Sequence, residues 1–199
     1  MALQQSATDG RQRGIAGLPL RSAAVAGVVS FVLGYVVTAV VKIGDVAGVL
    51  QHPLVDLSNL STPADWQVLG WIFLAGHNAT VTVTATVGGS ITKSALAIDV
   101  PTWLLFLPVG LLFVAGFAVV RYEGVRTPGR GGMAGAAVVL SYVVCVGFLA
   151  VLSTWTVSQG GDASLQIAPE PLQALVVGGV GYPLVFGGVG GALGAVLNG

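Results

Sequence analysis

The sequence predicts an all-α membrane protein: four transmembrane helices, with a small exported helix plus β-hairpin loop between helices 1 and 2. Three observations carry this reading. Of 199 residues, 54% are hydrophobic and only 8% charged, a balance far too apolar for an ordinary soluble domain. Four runs without Asp, Glu, Lys, Arg or His reach the roughly twenty residues needed to cross about 30 Å of hydrocarbon. The cationic residues, finally, divide unevenly between the segments that flank those runs.

The first run, 22–41, follows Arg11, Arg13 and Arg21. At about twenty apolar residues it exceeds a signal-peptide core, and no small-x-small cleavage site follows, so an uncleaved anchor is expected. The other runs are 102–120, 132–152 and 172–197. Arg121, Arg126 and Arg130 crowd the link between the second and third. If that link (121–131) and the tail 1–21 share a side, the side holds six arginines against Asp9 and Glu123, net +4. The opposite side holds Lys42 and Lys93 against six carboxylates, net −4. This positive-inside pattern puts both termini in the cytoplasm of a multi-pass cell-membrane protein. A fifth span over 66–87 would carry the three-arginine link outside and is rejected on that ground.

Between the first two spans lies a long outer segment, 42–101. In "STPADWQVLGWIFLAGHN", Thr62 can cap, Pro63 suits a first turn and Asp65 lies three residues after the cap, so a helix is expected over about 63–77. Trp66, Leu69, Gly70, Phe73 and His77 recur at helical spacing, a face suited to the bilayer surface or the bundle. "TVTVTATVGGSITKSALAI" then alternates with a period of two about Gly88-Gly89, so a hairpin is expected over about 80–98. A lone hairpin is marginal and needs support from the helix, the membrane surface or another chain. The segment 153–171 is a second outer loop. Asn59 and Asn78 head N-x-S/T sequons on the side the arginines make exterior and are the candidate glycosylation acceptors.

The layout around "LGWIFLAGHNATV" resembles an uncharacterised family of small haloarchaeal four-span membrane proteins with a G-W-x-F-x-x-A-H stretch there. The matching residues are Gly70, Trp71, Phe73 and His77, with Gly76 in place of Ala. The resemblance implies an archaeal cell membrane and brings no activity, ligand or catalytic residue. In layout the chain is also similar to claudin-like four-span proteins, without their disulfide or W-G-L-W pattern.

No catalytic constellation is legible. His52 and Asp56 are four apart without a further His or Cys, so no metal and no cofactor is expected. His77 reads as a helix-end or interface residue. The spans offer Ser30, Thr38 and Ser141 but no acid, base or cation, which argues against an enzyme and against ion-coupled transport. Cys145 lies alone inside a span. Arginines confined to two short segments act as topology determinants and give no support to nucleic-acid binding.

The chemistry that remains is in the small residues. The chain has 30 glycines. In the fourth run Gly187 and Gly191, and the offset pair Gly190 and Gly194, form overlapping G-x-x-x-G registers suited to close helix packing. Ala26, Ser30, Gly34 and Thr38 form a matching row in the first span, and Gly131 and Gly135 one at the start of the third. Gly178, Gly179, Gly181 and Pro183 predict a helix break, because proline lacks an amide and clashes one turn back. The expected role is non-enzymatic: a structural or accessory protein of the lipid bilayer that associates with itself or another membrane protein through small-residue faces and the outer loop. The alternative is a channel or carrier for a neutral or weakly polar small solute, lined by the broken helix and the span hydroxyls.

Overall fold

The computed structural model describes residues 18–45, 61–158 and 160–199. Four helices are long and apolar enough to cross a membrane: α1 Leu20–Lys42, α3 Thr102–Glu123, α4 Pro128–Leu152 and α5 Pro171–Val196. The shorter α2, Asp65–Ala75, comes between the first two. Four strands complete the fold: β1 Val81–Val87, β2 Ser90–Ala95, β3 Trp155–Ser158 and β4 Ser164–Pro169.

Three of the long helices begin or end where their backbone chemistry requires. Thr127 precedes Pro128, which occupies the first turn of α4, and Pro171 does the same for α5. Helix α3 stops at Gly124, whose φ of 64° favours glycine and whose amide bonds back to Arg121 and Val120. The cap of α2 differs from expectation. Ala64, not Thr62, is its N-cap, and the Gln67 side chain reaches back to accept the Ala64 amide at 3.0 Å.

The segments between α1 and α3 and between α4 and α5 together build one sheet. Its order is β2-β1-β4-β3, antiparallel throughout, with Thr84 opposite both Lys93 and Gln166. The hairpin turn at Gly88 and Gly89 takes φ of 55° and 81°, the left-handed conformation such a turn needs. The first hairpin is therefore supported by a second, β3–β4, from a segment read above as a plain loop. Strands this short carry little periodic signal, and the pairing of β4 with β1 joins residues more than seventy positions apart.

Helix α2 lies at the centre and not on a surface. Val68 to Leu74 are all buried, and only its first turn, Asp65 and Trp66, is exposed. One side packs against the sheet through Val68, Trp71, Val83, Ile167 and Trp155. Its far end joins the bundle core, where Phe73 and Leu74 meet Leu112, Tyr142 and Val146. The opposite end of the molecule gathers the N-terminus of α1, the α3–α4 link and the end of α5. There Arg121 donates to the Leu197 carbonyl at 2.9 Å and to Asn198 Oδ1 at 2.7 Å.

Candidate functional site

The polar centre of the molecule is the turn that ends α2. The chain reverses at Gly76–Asn78, with Asn78 at a φ of 58°. Asparagine tolerates this conformation better than most residues. The turn drives His77, fully buried, between α4 and α5. Its Nδ1 lies 2.8 Å from the Phe73 carbonyl and its Nε2 lies 2.6 Å from the Tyr142 hydroxyl. A carbonyl only accepts, so Nδ1 carries the proton, and bare Nε2 accepts from the Tyr142 O–H.

Three rings pack around His77: Phe73, Tyr142 and Tyr182. Phe73 stands 4.6 Å from His77, centroid to centroid, and Tyr182 stands 5.5 Å away. Phe31 packs edge-on to Phe73 at 5.3 Å and to Tyr142 at 5.7 Å. A Cβ on Gly178 would come within 3.1 Å of the His77 Cβ, so this glycine makes room for the imidazole. Burial, against a smaller opposing effect of the Phe73 hydrogen bond, lowers the His77 pKa to about 4. The imidazole is thus neutral, with both nitrogens committed. To act as a base toward any substrate it would first have to give up the Tyr142 bond.

The neighbouring Asn78 donates from Nδ2 to the Tyr182 hydroxyl at 2.6 Å. That nitrogen is the atom to which a glycan would be attached, and Asn78 itself is exposed. Asn59, His52, Arg11 and Arg13 lie outside the described residues.

The fourth-run glycines divide between two neighbours. Gly187 and Gly191 face Gly135 and Gly131 of α4: a Cβ on Gly187 would fall 2.7 Å from the Gly135 carbonyl oxygen, and one on Gly191 would overlap that of Gly131. Gly190 and Gly194 face α3 instead, against the Phe113 and Phe117 carbonyls. Gly116 of α3 also abuts the Gly187 carbonyl, so three helices meet at Gly187. These approaches are all within one chain. In α1 the row keeps Ser30, Gly34 and Thr38 on the buried face and differs at its first position. Ser30 and Gly34 are buried, Gly34 against the Phe73 ring, but the tightest contact is Gly27, beneath the Val138 carbonyl, and Ala26 is only partly buried.

At the expected break the helix does not break. It widens into π-helical turns over Ala174–Gly181 and Pro183–Gly187, and Tyr182 donates its amide five residues back to Val177. The wider turn accommodates a residue with no amide to give. Gly179 admits Val143, and a Cβ on Gly181 would lie 3.3 Å from the Val176 carbonyl. Two of the three candidate helix hydroxyls bond backbone: Thr38 Oγ1 donates to Gly34 at 2.9 Å and Ser141 Oγ to Ala24 at 2.8 Å, while Ser30 is buried on the same face of α1 as Thr38.

Arg21, Arg126 and Arg130 are exposed at the end opposite the sheet, beside Arg121 and the Glu123 carboxylate, which accepts from the Ser22 hydroxyl. Among the described residues no three His, Cys, Asp or Glu side chains converge on a point that could hold a metal.

Sequence reasoning missed Tyr142, Tyr182, Gly27 and Gly116. The tyrosines left a usable signal, because a buried tyrosine within an apolar span must find a partner for its hydroxyl. No curated protein and no solved structure matches the chain. A family model described as a family of unknown function, DUF7978, matches residues 1–198, and the chain belongs to that family.

Proposed function

We infer that the protein is a multi-pass membrane protein with a non-enzymatic structural or accessory role, both termini cytoplasmic and the sheet outside. Support for the membrane comes from a girdle of exposed apolar side chains, among them Val32, Val36, Phe106, Val144, Phe148 and Val189. Exposed Trp66 and Trp103 lie toward the sheet end and exposed Tyr122 toward the arginine end, where interfacial aromatics belong. In that setting α2 is a re-entrant half-helix, its backbone buried in protein and not in lipid. The resemblance around Gly70 to His77 makes an archaeal cell membrane the natural host.

One observation carries the non-enzymatic reading: most of the polar groups that could do work inside the bundle are bonded within the fold, with the Ser153 hydroxyl buried but unpartnered. His77 has both nitrogens bonded, Trp71 Nε1 donates to the Ser153 carbonyl at 2.8 Å, and Thr38 and Ser141 bond helix carbonyls. The same contacts weaken the channel or carrier alternative, whose lining they would have supplied. The small-residue faces are filled within the chain, so association falls to the outer sheet, whose edge strand β2 exposes Ile91. Cysteines placed singly at 91 and 126 in a Cys145-free background test this. Position 91 should label from outside and cross-link to a defined species larger than the 20.0 kDa monomer, and position 126 should do neither. Labelling at 126 from outside overturns the orientation; monomer alone at every outer-sheet position overturns the accessory role.

A further inference from the structure

The arginine end contains two adjoining depressions. A cavity of about 660 Å³ lies between the start of α1 and the α3–α4 link, lined by Pro19, Glu123, Val125, Arg126 and Arg130 among others. Directly beyond it, a groove of about 440 Å³ runs between α1 and α3, lined by Arg21, Val25, Ala26, Val29, Ala118 and Tyr122. The two follow consecutively along both helices, with the Ser22–Glu123 hydrogen bond at their boundary. The cavity is polar and faces the end of the bundle; the groove is apolar and faces its side.

We propose that this pair of depressions binds one anionic phospholipid, its headgroup phosphate at Arg126 and Arg130 and an acyl chain in the groove. Three features select that occupant. From Arg21 to Val29 the groove covers eight helical rises, about 12 Å, close to the depth of one leaflet's hydrocarbon, about 15 Å. Arg21 and Tyr122 stand at its polar end, at the level of headgroups. Arg21, Arg126 and Arg130 have no ion-pair partner among the described residues, whereas the one carboxylate that lines the cavity, Glu123, already accepts from Ser22. Guanidinium forks hold phosphate through paired charge-assisted hydrogen bonds, and a zwitterionic headgroup offers the same phosphate with its charge cancelled.

The proposal rests on the membrane reading, and the test separates the two. Full-length protein is first reconstituted into phosphatidylcholine vesicles; failure to float with them would defeat the membrane reading itself. Detergent-purified protein is then titrated with phosphatidylglycerol, phosphatidylcholine of the same chains, and inorganic phosphate, and bound lipid is read by native mass spectrometry. Phosphatidylglycerol should bind at least tenfold more tightly than phosphatidylcholine. Arg126→Gln with Arg130→Gln should abolish that preference, and Ala118→Trp, on an exposed position of the groove, should weaken binding of phosphatidylglycerol. Equal affinity for the two lipids, or a preference that survives the double substitution, would overturn the proposal. Competition by inorganic phosphate at equal concentration would do so as well, showing a free-anion site. Unchanged binding in Ala118→Trp would overturn the acyl-chain assignment and with it the phospholipid.

Discussion

The Tyr142 hydroxyl donates to His77 Nε2 across 2.6 Å, between α4 and the turn that ends α2. Replacing it by Tyr142→Phe leaves a buried imidazole nitrogen without a donor, at a cost of about 1–3 kcal/mol. Thermal unfolding in detergent should show the loss. His77→Phe with Tyr142→Phe should recover part of it, since neither partner is then stranded; strictly additive losses in the double-mutant cycle would show that the bond has no such role.

Acid should destabilise the fold through the same histidine. Its folded pKa, about 4, lies below the ordinary 6.5, so the unfolded chain binds the proton first. The stabilisation is complete above about pH 6.5, declines as pH falls, and is lost by pH 4, a change of about 3 kcal/mol. Denaturation midpoints measured from pH 7.5 to 4 should fall accordingly, and the slope should flatten in His77→Gln. A slope unchanged in that variant would assign the acid sensitivity elsewhere.

Adjacent glycines of α5 should respond in opposite ways. A Cβ on Gly187 would press on the Gly135 carbonyl oxygen at 2.7 Å, while one on Gly188 meets its nearest atom at an ordinary 3.6 Å. Gly187→Ala should therefore destabilise and Gly188→Ala should be neutral or stabilising. Gly191→Leu, which collides with α4 backbone, should cost about 1–3 kcal/mol or more. Leu197→Val, at an exposed position, is the control. Equal melting temperatures for the two alanine variants would defeat the close-approach account.

The exposed ion pair should matter little. Lys93 Nζ stands 2.8 Å from Glu170 Oε2, joining β2 to the start of α5, but both side chains remain well exposed. Glu170→Gln should change stability by less than about 1 kcal/mol, less still at high salt. A larger loss would mean that the pair holds the sheet edge in place.

The sequence by itself determined the four long helices, because spanning a bilayer is a property of a contiguous apolar run, and 102–120 reads the same whatever packs beside it. The β1–β2 hairpin was legible for a similar reason: alternation and a Gly-Gly turn are local. The close approaches of Gly187 and Gly191 were legible only as spacing; Gly131 and Gly135 became their partners through the tertiary fold.

Tertiary structure alone decided where α2 lies. Its residues are apolar nearly all round, and such a helix can be buried equally well on a surface membrane or inside a bundle until the sheet and α4 enclose it. The pairing of β1 with β4 was likewise invisible, since two short strands separated by two long helices share no local signature. So was the widening of α5. Pro183 announced a disturbed hydrogen-bond ladder, but whether the helix kinks or relaxes into π turns depends on what fills the space opposite. Here Val143 and His77 fill it, and His77 is held there by a tyrosine 65 positions away in the chain.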